Sequence, residues 1–259
     1  MAKTIAVVNQ KGGVGKTTST VNLAAAVASK GYRVLLADID PQGNATSGVG
    51  INKRTLKASS YDVLINSASA DDAIVKTDFK NLWVLPASMN LAGAELEMVD
   101  MERRESRLKV AFAPIKDNFD FIFLDCPPSL GLITLNALCC CDTVLVPIQC
   151  EYYALEGLSQ LMSTIRQVKR LYNPLITIEG VLLTMFDGRL NLTNQVVNEL
   201  KRFFPKKVYA TVIPRNVKLS EAPSFGQPVL YYDKRSKGAI AYDALALEFL
   251  KMNGKEVKS

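Results

Sequence analysis

A glycine-rich loop near the start of the chain carries the residue types that bind phosphate. Residues 11–18 read Lys-Gly-Gly-Val-Gly-Lys-Thr-Thr. Glycines let backbone N–H groups approach phosphate oxygens, Lys16 can reach the β- and γ-phosphates, and the Thr17 hydroxyl can ligate Mg²⁺. The usual P-loop pattern has glycine where this chain has Gln10, so the loop is a variant with an additional lysine, Lys11. The predicted nucleotide-binding residues are Lys11, Gly12, Gly13, Val14, Gly15, Lys16, Thr17 and Thr18, and Lys11 and Lys16 are also predicted to act in catalysis.

Phosphoryl transfer also needs carboxylates, and two apolar runs end in them. Residues 121–124 lead into Asp125 in the Walker B form, so Asp125 is expected to support Mg²⁺ directly or from the next layer of contacts. Asp38 and Asp40 follow another apolar run and alternate onto the same side of the extended chain. One of them can support the metal and the other can orient the attacking water. We assign the water to Asp40 and the metal, together with Thr17, to Asp38 and Asp125.

The elements that must position these residues alternate along the chain. Continuous apolar runs, as expected for parallel strands covered on both faces, predict strands over 5–8, 34–37, 82–85, 121–124, 143–146, 178–183 and 208–213. Helices are predicted over 17–30, 91–116, 131–140, 153–172, 192–204 and 238–252. This order predicts an α/β fold with a doubly wound, mostly parallel sheet flanked by helices, and ligands at the carboxyl ends of its strands. We expect a single domain over residues 1–259, with an ordered core of about 3–252 and a short polar tail.

Composition excludes several kinds of chemistry. The chain has no histidine, so Ser-His or Cys-His nucleophiles and imidazole metal sites are excluded. Its five cysteines form no C-x-x-C pair and lie in or beside apolar runs, which favours buried small side chains over a cluster or metal site. No apolar run is long enough to cross a bilayer, so we expect a cytoplasmic protein.

The chain has a net charge of +6, and its basic and acidic residues are distributed unevenly along the sequence. Residues 160–259 hold 16 of the 31 Lys and Arg side chains but 8 of the 25 Asp and Glu. This asymmetry indicates a polyanionic partner for the C-terminal part, although a solvated basic surface has the same composition. The chain also lacks an Asn-Lys-x-Asp motif, so nothing indicates guanine selection and adenine is the expected base.

Five motifs together resemble the ParA/Soj family of chromosome- and plasmid-partition ATPases, which have a deviant Walker A loop. They read KGGVGKTT, DIDPQGN, FLDCPPSLG, PIQCEYYALEG and VIPRNVKLSEAPSFGQP, and the resemblance extends from residue 3 to about residue 250. It implies a slow, Mg²⁺-dependent ATPase that forms an ATP-dependent homodimer. It further implies that Lys11 reaches the partner's phosphates, that Gly12 lies at the dimer interface, and that Pro214 and Asn216 border the adenine.

The resemblance also implies macromolecular partners. These are nonspecific double-stranded DNA and a ParB-like centromere-binding protein, with the protein associated with the nucleoid. Arg189 and Lys218 correspond to family positions on the DNA-facing surface. Lys201, Arg202, Lys206 and Lys207 can equally be a favourable arrangement of basic residues at a helix end. Because the first predicted strand begins so early, we expect no separate sequence-specific DNA reader.

Three other functions share parts of this pattern. A MinD-type division regulator binds membranes through a C-terminal amphipathic helix, but the tail from residue 251 has too few apolar residues for that role, and we expect no membrane partner. A redox protein of the nitrogenase-iron-protein kind would need exposed cysteines. A small-molecule P-loop kinase would need an acceptor other than water.

Overall fold

A central sheet of seven strands lies within residues 1–151 and 154–258, which are the residues that this computed structural model describes. The strands are β1 (Lys3–Val7), β2 (Val34–Asp38), β3 (Val75–Lys76), β4 (Leu82–Leu85), β5 (Phe121–Asp125), β6 (Thr143–Gln149) and β7 (Thr177–Thr184). Their order across the sheet is β3-β4-β2-β5-β1-β6-β7. β3 pairs antiparallel with β4, and the other neighbouring strands pair in parallel. The predicted doubly wound, mostly parallel sheet is confirmed.

Helices connect the strands and cover both faces of the sheet. They are α1 (Lys16–Ser29), α2 (Asn44–Gly48), α3 (Ser60–Ile65), α4 (Ala70–Ala73), α5 (Leu91–Glu97), α6 (Arg107–Phe112), α7 (Leu132–Cys140), α8 (Ala154–Leu171), α9 (Asn191–Phe203), α10 (Val217–Glu221), α11 (Val229–Tyr232) and α12 (Lys237–Met252). Short 3₁₀ turns occur at Lys53–Thr55, Ala113–Asn118 and Ala222–Phe225. Within the described residues, no helix combines the length and apolarity that a bilayer crossing requires.

The continuous apolar runs follow from burial on both faces. In β1 and just after it, Ile5 and Val7 pack in one core with α1 and α12, whereas Ala6 and Val8 pack in the other core with α7 and α8. Strand side chains alternate between faces, so a strand that is covered on both sides needs an apolar residue at every position.

Parallel pairing brings the predicted acidic residues together. β5 lies between β2 and β1, and its last residue, Asp125, is in register with Asp38 of β2 and with Val7 of β1. The chain leaves β1 directly into the glycine-rich loop. Three carboxyl strand ends therefore meet where the loop begins.

The predicted helix over 91–116 is wrong as a continuous element. It is divided into α5, α6 and the 3₁₀ turn Ala113–Asn118, with turns between α5 and α6. Arg103 has φ of 51°, in the left-handed region, which a helix cannot continue through. Pro114 lies in the first turn of the 3₁₀ segment, where its missing N–H costs nothing.

The predicted strand over 208–213 is also wrong, because its backbone finds another partner. The N–H groups of Ala210 and Thr211 donate to the Glu248 carboxylate of α12 at 2.7 and 2.8 Å. Val208 makes an isolated bridge to Val181 of β7, and no regular ladder continues from it along the described chain. The segment instead follows the edge of β7 irregularly.

The remaining differences are small. The other predicted strands and helices occur within two residues of their expected bounds, except that β6 continues to Gln149, three residues beyond its predicted end. The prediction of a helix over 153–172 begins at Tyr153, which lies outside the described residues, and α8 begins at Ala154. Six short elements, each of six residues or fewer, have no clear sequence pattern and were not predicted: β3, α2, α3, α4, α10 and α11.

Candidate nucleotide-binding site

The glycine-rich loop wraps around the beginning of α1. Gly13 and Gly15 have φ of 73° and 84°, left-handed values that residues with a side chain rarely adopt. Val14 between them is buried, and its carbonyl accepts a hydrogen bond from the Thr184 hydroxyl at 2.8 Å. This hydrogen bond joins the loop to the end of β7. The N–H groups of the first helical turn lie at this point, where they favour an anion.

The two lysines of the loop differ in their surroundings. Lys16 is buried, and its Nζ donates to the carbonyl of Lys11 at 3.1 Å. Burial lowers the pKa of Lys16, and the nearby charges of Asp125 and Asp40 partly oppose that shift. Lys11 is half-exposed, and its ammonium group forms an ion pair with Glu151 of the same chain.

Asp125 has one carboxylate oxygen that is buried and unused. Its Oδ1 accepts a hydrogen bond from the Thr20 hydroxyl of α1 at 2.9 Å. Its Oδ2 is buried and has no hydrogen-bond partner in the part of the chain that the structure describes. Burial raises the pKa of Asp125 to about 8, and the charge of Asp38 contributes to this increase. A buried acceptor of this kind is costly unless a ligand satisfies it.

Asp38 is fully buried and already hydrogen-bonded. Its Oδ2 accepts from the backbone N–H and the hydroxyl of Thr46, both at 2.7 Å, and its Oδ1 accepts from the Asp40 N–H at 3.2 Å. The Thr46 hydroxyl oxygen in turn accepts from the Ala87 N–H at 2.9 Å. These hydrogen bonds fix the turn that carries Asp40 and join that turn to the segment after β4. Because both oxygens of Asp38 already accept hydrogen bonds, little of this carboxylate is left for the predicted contact with a metal.

Asp40 opens onto a cavity of about 380 Å³ at the glycine-rich loop. Its Oδ1 accepts from the Gln42 N–H at 2.9 Å, which leaves the rest of the carboxylate for the cavity. The cavity is lined by Gly12, Gly13, Gly15, Lys16, Thr17, Thr18, Asp40, Gln42, Asn44 and Pro128. The structure thus brings the loop residues and Asp40 together in one place, as the sequence predicts.

A second cavity of about 560 Å³ shares Gly13, Gly15 and Thr18 with the first. It extends to Pro214 and Asn216, the two residues expected beside the adenine. Met185 at the end of β7 and Tyr242 of α12 also line it. The two cavities together form one elongated space that has a polar end at the loop and a more apolar end at Pro214.

The residues at the polar end suit Mg²⁺. Within residues 1–151 and 154–258, no three His, Cys, Asp or Glu side chains are grouped so that they could hold a metal ion by themselves. Mg²⁺ commonly binds through one or two protein oxygens together with substrate phosphates and water. Thr17 lines the cavity, and the fully buried Asp125, whose Oδ2 is unpartnered, interacts with Thr17 and so supports that arrangement from the next layer of contacts.

The predicted DNA-contacting residues Arg189 and Lys218 lie at the surface and line neither nucleotide cavity. The Arg189 side chain is 89% exposed, and its Nε and Nη2 donate to the Asp187 carboxylate at 2.9 and 2.6 Å. Lys218 is half-exposed and donates to Glu221 at 2.8 Å. The basic residues at the end of α9 and just after it are exposed: Lys201, Arg202, Lys206 and Lys207.

The cysteines are mostly buried, as predicted. Cys126, Cys139, Cys140 and Cys141 are buried and Cys150 is half-buried. Burial raises the pKa of each thiol, to about 12 for Cys139 and Cys140 and to about 11 for Cys150. Thiols of this kind are poor nucleophiles and poor metal ligands.

Several residues that shape the site carried no usable sequence signal. Thr20, Thr46 and Glu151 act through side-chain contacts with Asp125, Asp38 and Lys11 respectively. These partners are separated by 105, 8 and 140 positions, so no local pattern relates them. Met185 has φ of 48°, a left-handed value that is visible only in the backbone.

A glycine-rich loop at a helix N-terminus, beside a strand that ends in a buried carboxylate, defines a P-loop nucleotide-binding protein. The model of a family described as an AAA domain matches residues 2–178. The chain is 58% identical to the sporulation initiation inhibitor protein Soj of Bacillus subtilis, over 96% of this chain and 98% of the relative. It is 48% identical to the chromosome-partitioning ATPase Soj of Treponema pallidum, over 98% and 99%. The chain therefore belongs to the ParA/Soj family of chromosome-partitioning ATPases.

A solved structure gives the same fold with a nucleotide bound. Cobyrinic acid a,c-diamide synthase from Mycobacterium smegmatis, with ADP and magnesium, superposes with a TM-score of 0.84 at 37% identity, over 100% of this chain and 99% of that one. The resemblance to the ParA/Soj family and the expectation of an ATPase are confirmed by these comparisons taken together.

Proposed function

We propose that this chain is an ATP-dependent switch: it dimerises when ATP is bound, holds nonspecific DNA as a dimer, and is reset when a ParB-like partner stimulates hydrolysis. The observation that carries this proposal is the buried, unpartnered Oδ2 of Asp125 beside the glycine-rich loop. Such an atom is costly in the free protein, and a metal-bound nucleotide satisfies it.

ATP lies along the elongated space with its phosphates at the glycine-rich loop and its adenine beside Pro214 and Asn216. Lys16 contacts the β- and γ-phosphates, and its buried position strengthens that contact by excluding water. Thr17 and Asp125 would hold Mg²⁺, which would offset the negative charge on the phosphate oxygens. The nucleotide-bound structure of the Mycobacterium smegmatis protein supports this choice of ligand.

Asp40 positions the attacking water. Its carboxylate faces the phosphate cavity, and its backbone is fixed by the hydrogen bonds between Asp38 and Thr46. A rigidly held carboxylate lowers the cost of orienting the water, while phosphate binding depends on other residues. Binding and hydrolysis of ATP are therefore expected to be separable.

Dimerisation requires Lys11 to exchange partners. In the single chain its ammonium group pairs with Glu151, and the two side chains are 37% and 45% exposed. An ion pair this accessible to solvent contributes little free energy, so an ATP phosphate of a second subunit can replace Glu151. Lys11 then links the presence of the γ-phosphate to assembly. Gly12 is exposed, and apart from its two neighbours in sequence no atom of the described residues lies within 4 Å of where a Cβ would stand, so the second subunit can approach the loop closely there.

DNA binding follows from the excess of basic residues in the C-terminal part of the chain. Arg189 and Lys218 are accessible, and their present carboxylate partners, Asp187 and Glu221, can be exchanged for DNA phosphates. A dimer presents two such sets, so its affinity for DNA exceeds that of the monomer. The contacts are to phosphates, and no sequence preference is expected.

The test is steady-state ATP turnover by the full chain with nonspecific duplex DNA, with the ParB-like protein of the same organism, and with both. We expect slow turnover alone and the largest increase with both present. Analytical sedimentation with ATP gives the assembly state of wild type and of Lys11→Ala. The variant is expected to bind ATP and remain monomeric, and a stable Lys11→Ala dimer would exclude the cross-subunit role.

A further inference from the structure

Two glycines bring the segment beside the expected adenine position into contact with the segment that follows Asp40. Gly50 lies two residues after α2, and Gly226 ends the 3₁₀ turn Ala222–Phe225. A Cβ on Gly226 would lie 2.7 Å from the Gly50 Cα, and a Cβ on Gly50 would lie 3.1 Å from the Gly226 carbonyl oxygen. Two backbones approach this closely only where neither residue has a side chain. The two segments therefore meet through their main chains.

Both glycines also close short helical turns in the left-handed region. Gly50 has φ of 79°, and its N–H donates to the Ser47 carbonyl at 3.0 Å. Gly226 has φ of 63°, and its N–H donates to the Pro223 carbonyl at 3.0 Å. Because each turn ends at the contact, a movement of either turn displaces the residue that closes the other.

The Gly226 side of the contact leads to the adenine cavity. Pro214, Asn216 and Pro223 line that cavity, and α10 followed by the 3₁₀ turn carries the chain from Asn216 to Gly226. The Asn216 Oδ1 accepts from the Lys218 N–H at 3.1 Å, which fixes the start of α10. A base that packs against Pro214 and Asn216 therefore restrains the segment that ends at Gly226.

The Gly50 side of the contact leads to Asp40 through α2. Thr46 of α2 donates from its N–H and its hydroxyl to Asp38 Oδ2, both at 2.7 Å, and Asp38 Oδ1 accepts from the Asp40 N–H at 3.2 Å. A cavity of about 410 Å³ lies between α1, α2 and the 3₁₀ turn, so the two segments are not packed against each other there. Asp40 is thus positioned by a helix whose end touches the adenine-bordering segment at Gly226.

We propose that Gly50 and Gly226 are positioning residues that make the rate of ATP hydrolysis depend on the base. A base that fills the adenine cavity holds residues 214–226, and the glycine contact then holds α2 and the turn that carries Asp40. A smaller base leaves this turn less restrained, so the attacking water is oriented less well. This inference rests on the proposed function, since it takes from it the position of the adenine and the role of Asp40.

The experiment compares Gly226→Ala with Gly254→Ala in the full chain. Both glycines have φ of 63°, so the two substitutions carry the same left-handed strain. Apart from its neighbours in sequence, no atom of the described residues lies within 4 Å of a Cβ at Gly254, whereas a Cβ at Gly226 would overlap Gly50. The readouts are the dissociation constants for ATP and CTP and the kcat at saturating concentrations of each. CTP carries a pyrimidine base, which is smaller than adenine.

Wild type and Gly254→Ala are expected to hydrolyse ATP at least about fivefold faster than CTP. Gly226→Ala should lower kcat for ATP to about the CTP value, while its dissociation constant for ATP stays within about threefold of wild type. Gly50→Ala, whose Cβ makes the milder overlap, should reduce the ratio of the two rates less. The double variant should be no worse than Gly226→Ala, because both changes separate the same two segments.

Equal rates with ATP and CTP in wild type would overturn the inference, as would the wild-type ratio in Gly226→Ala. Loss of ATP-dependent dimerisation in Gly226→Ala, measured by sedimentation, would assign the contact to assembly and overturn it as well. If Gly226→Ala does not fold, Gly50→Ala decides, and a wild-type ratio in that variant overturns the inference. Wild-type turnover by Asp40→Ala would instead show that the proposed function fails. An inactive Asp40→Ala together with an unchanged ratio in Gly226→Ala would overturn this inference alone.

Discussion

Buried carboxylates at the two ends of the sheet differ in their hydrogen-bond partners and in the direction of their pKa shifts. At the carboxyl end, Asp125 is buried with one oxygen unpartnered, and burial raises its pKa to about 8. At the amino end, Glu179 is also buried, but it accepts from Lys3 Nζ at 2.6 Å and from Asn253 Nδ2 at 2.7 Å. Burial alone would raise the pKa of Glu179, yet these two partners hold it below its ordinary value.

This difference separates a ligand site from a structural contact. The amino end is closed by its own side chains and by the C-terminal residues, since the Lys258 ammonium group lies 4.2 Å from the Tyr32 ring centre and also pairs with Asp120. At the carboxyl end, the Oδ2 of the Asp125 carboxylate has no hydrogen-bond partner among the described residues. Proteins generally tolerate such unsatisfied groups at functional sites and compensate for them elsewhere.

The largest expected effect is on catalysis at the carboxyl end. Asp40→Ala should lower ATP turnover roughly 100- to 1,000-fold, because the water loses its positioning carboxylate, while affinity for ATP is retained. Asp120→Ala at the amino end is the control, since Asp120 pairs with Arg33 and Lys258 and lines neither of the two nucleotide cavities. Turnover and nucleotide affinity are measured for both variants. Wild-type turnover by Asp40→Ala would remove Asp40 from the reaction.

The next effect is on nucleotide affinity. Lys16→Ala should weaken ATP binding about 100-fold, because it removes a buried charge-assisted contact to the phosphates. Lys30→Ala serves as the matched variant, since Lys30 pairs with Asp243 at 2.5 Å outside the site. Titration calorimetry with Mg²⁺ and ATP gives both affinities, and equal affinities for the two variants would contradict the assignment of Lys16.

At the amino end the expected effect is on stability. Lys3→Met should lower the free energy of unfolding by about 2–3 kcal/mol at pH 7, because it leaves the Glu179 carboxylate buried with one partner fewer. Nucleotide affinity should not change. Denaturant unfolding at pH 7 measures the difference.

The Lys3–Glu179 pair also predicts how the free energy of unfolding depends on pH. Because the pKa of Glu179 is lowered in the folded chain, its stabilisation is complete above the ordinary glutamate value of about 4.3 and is lost as the pH falls below it. Wild type should therefore lose more stability than Lys3→Met between pH 6 and pH 3. A parallel loss in both proteins would show that the pair does not stabilise the fold.

The smallest expected effect is at the exposed surface. Arg189→Ala should reduce the slope of log affinity for duplex DNA against log salt by about 0.9 for each subunit, with dimerisation unchanged. Its ion pair with Asp187 is exposed, so stability should not change measurably. Retention on nonspecific duplex at increasing salt checks this, and an unchanged slope would exclude Arg189 from the DNA surface.

The sequence predicted local features well and long-range contacts poorly. The glycine-rich loop, Asp40 and Asp125 could be placed because strand, loop and helix patterns are local and parallel strand ends converge. The break within 91–116 depends on the left-handed Arg103, and the failed strand at 208–213 depends on a carboxylate from Glu248 of α12. The commitment of Asp38 to Thr46, and the pairing of Lys11 with Glu151, likewise require the folded chain.

The comparison between the two ends is tested most directly by thermal unfolding of Asp125→Asn and Glu179→Gln, each with and without Mg²⁺ and ATP. Without ligand at pH 7, we predict that Asp125→Asn unfolds at or above the wild-type temperature, because burial and Asp38 already favour the neutral form of Asp125 and the amide is neutral at every pH. Glu179→Gln should unfold at a lower temperature, because it removes the charge that pairs with Lys3. With ligand, wild type and Glu179→Gln should both gain stability, and Asp125→Asn should lose most of that gain. Asp125→Asn would contradict the account if it were destabilised as much as Glu179→Gln and still gained the full stabilisation from Mg²⁺ and ATP.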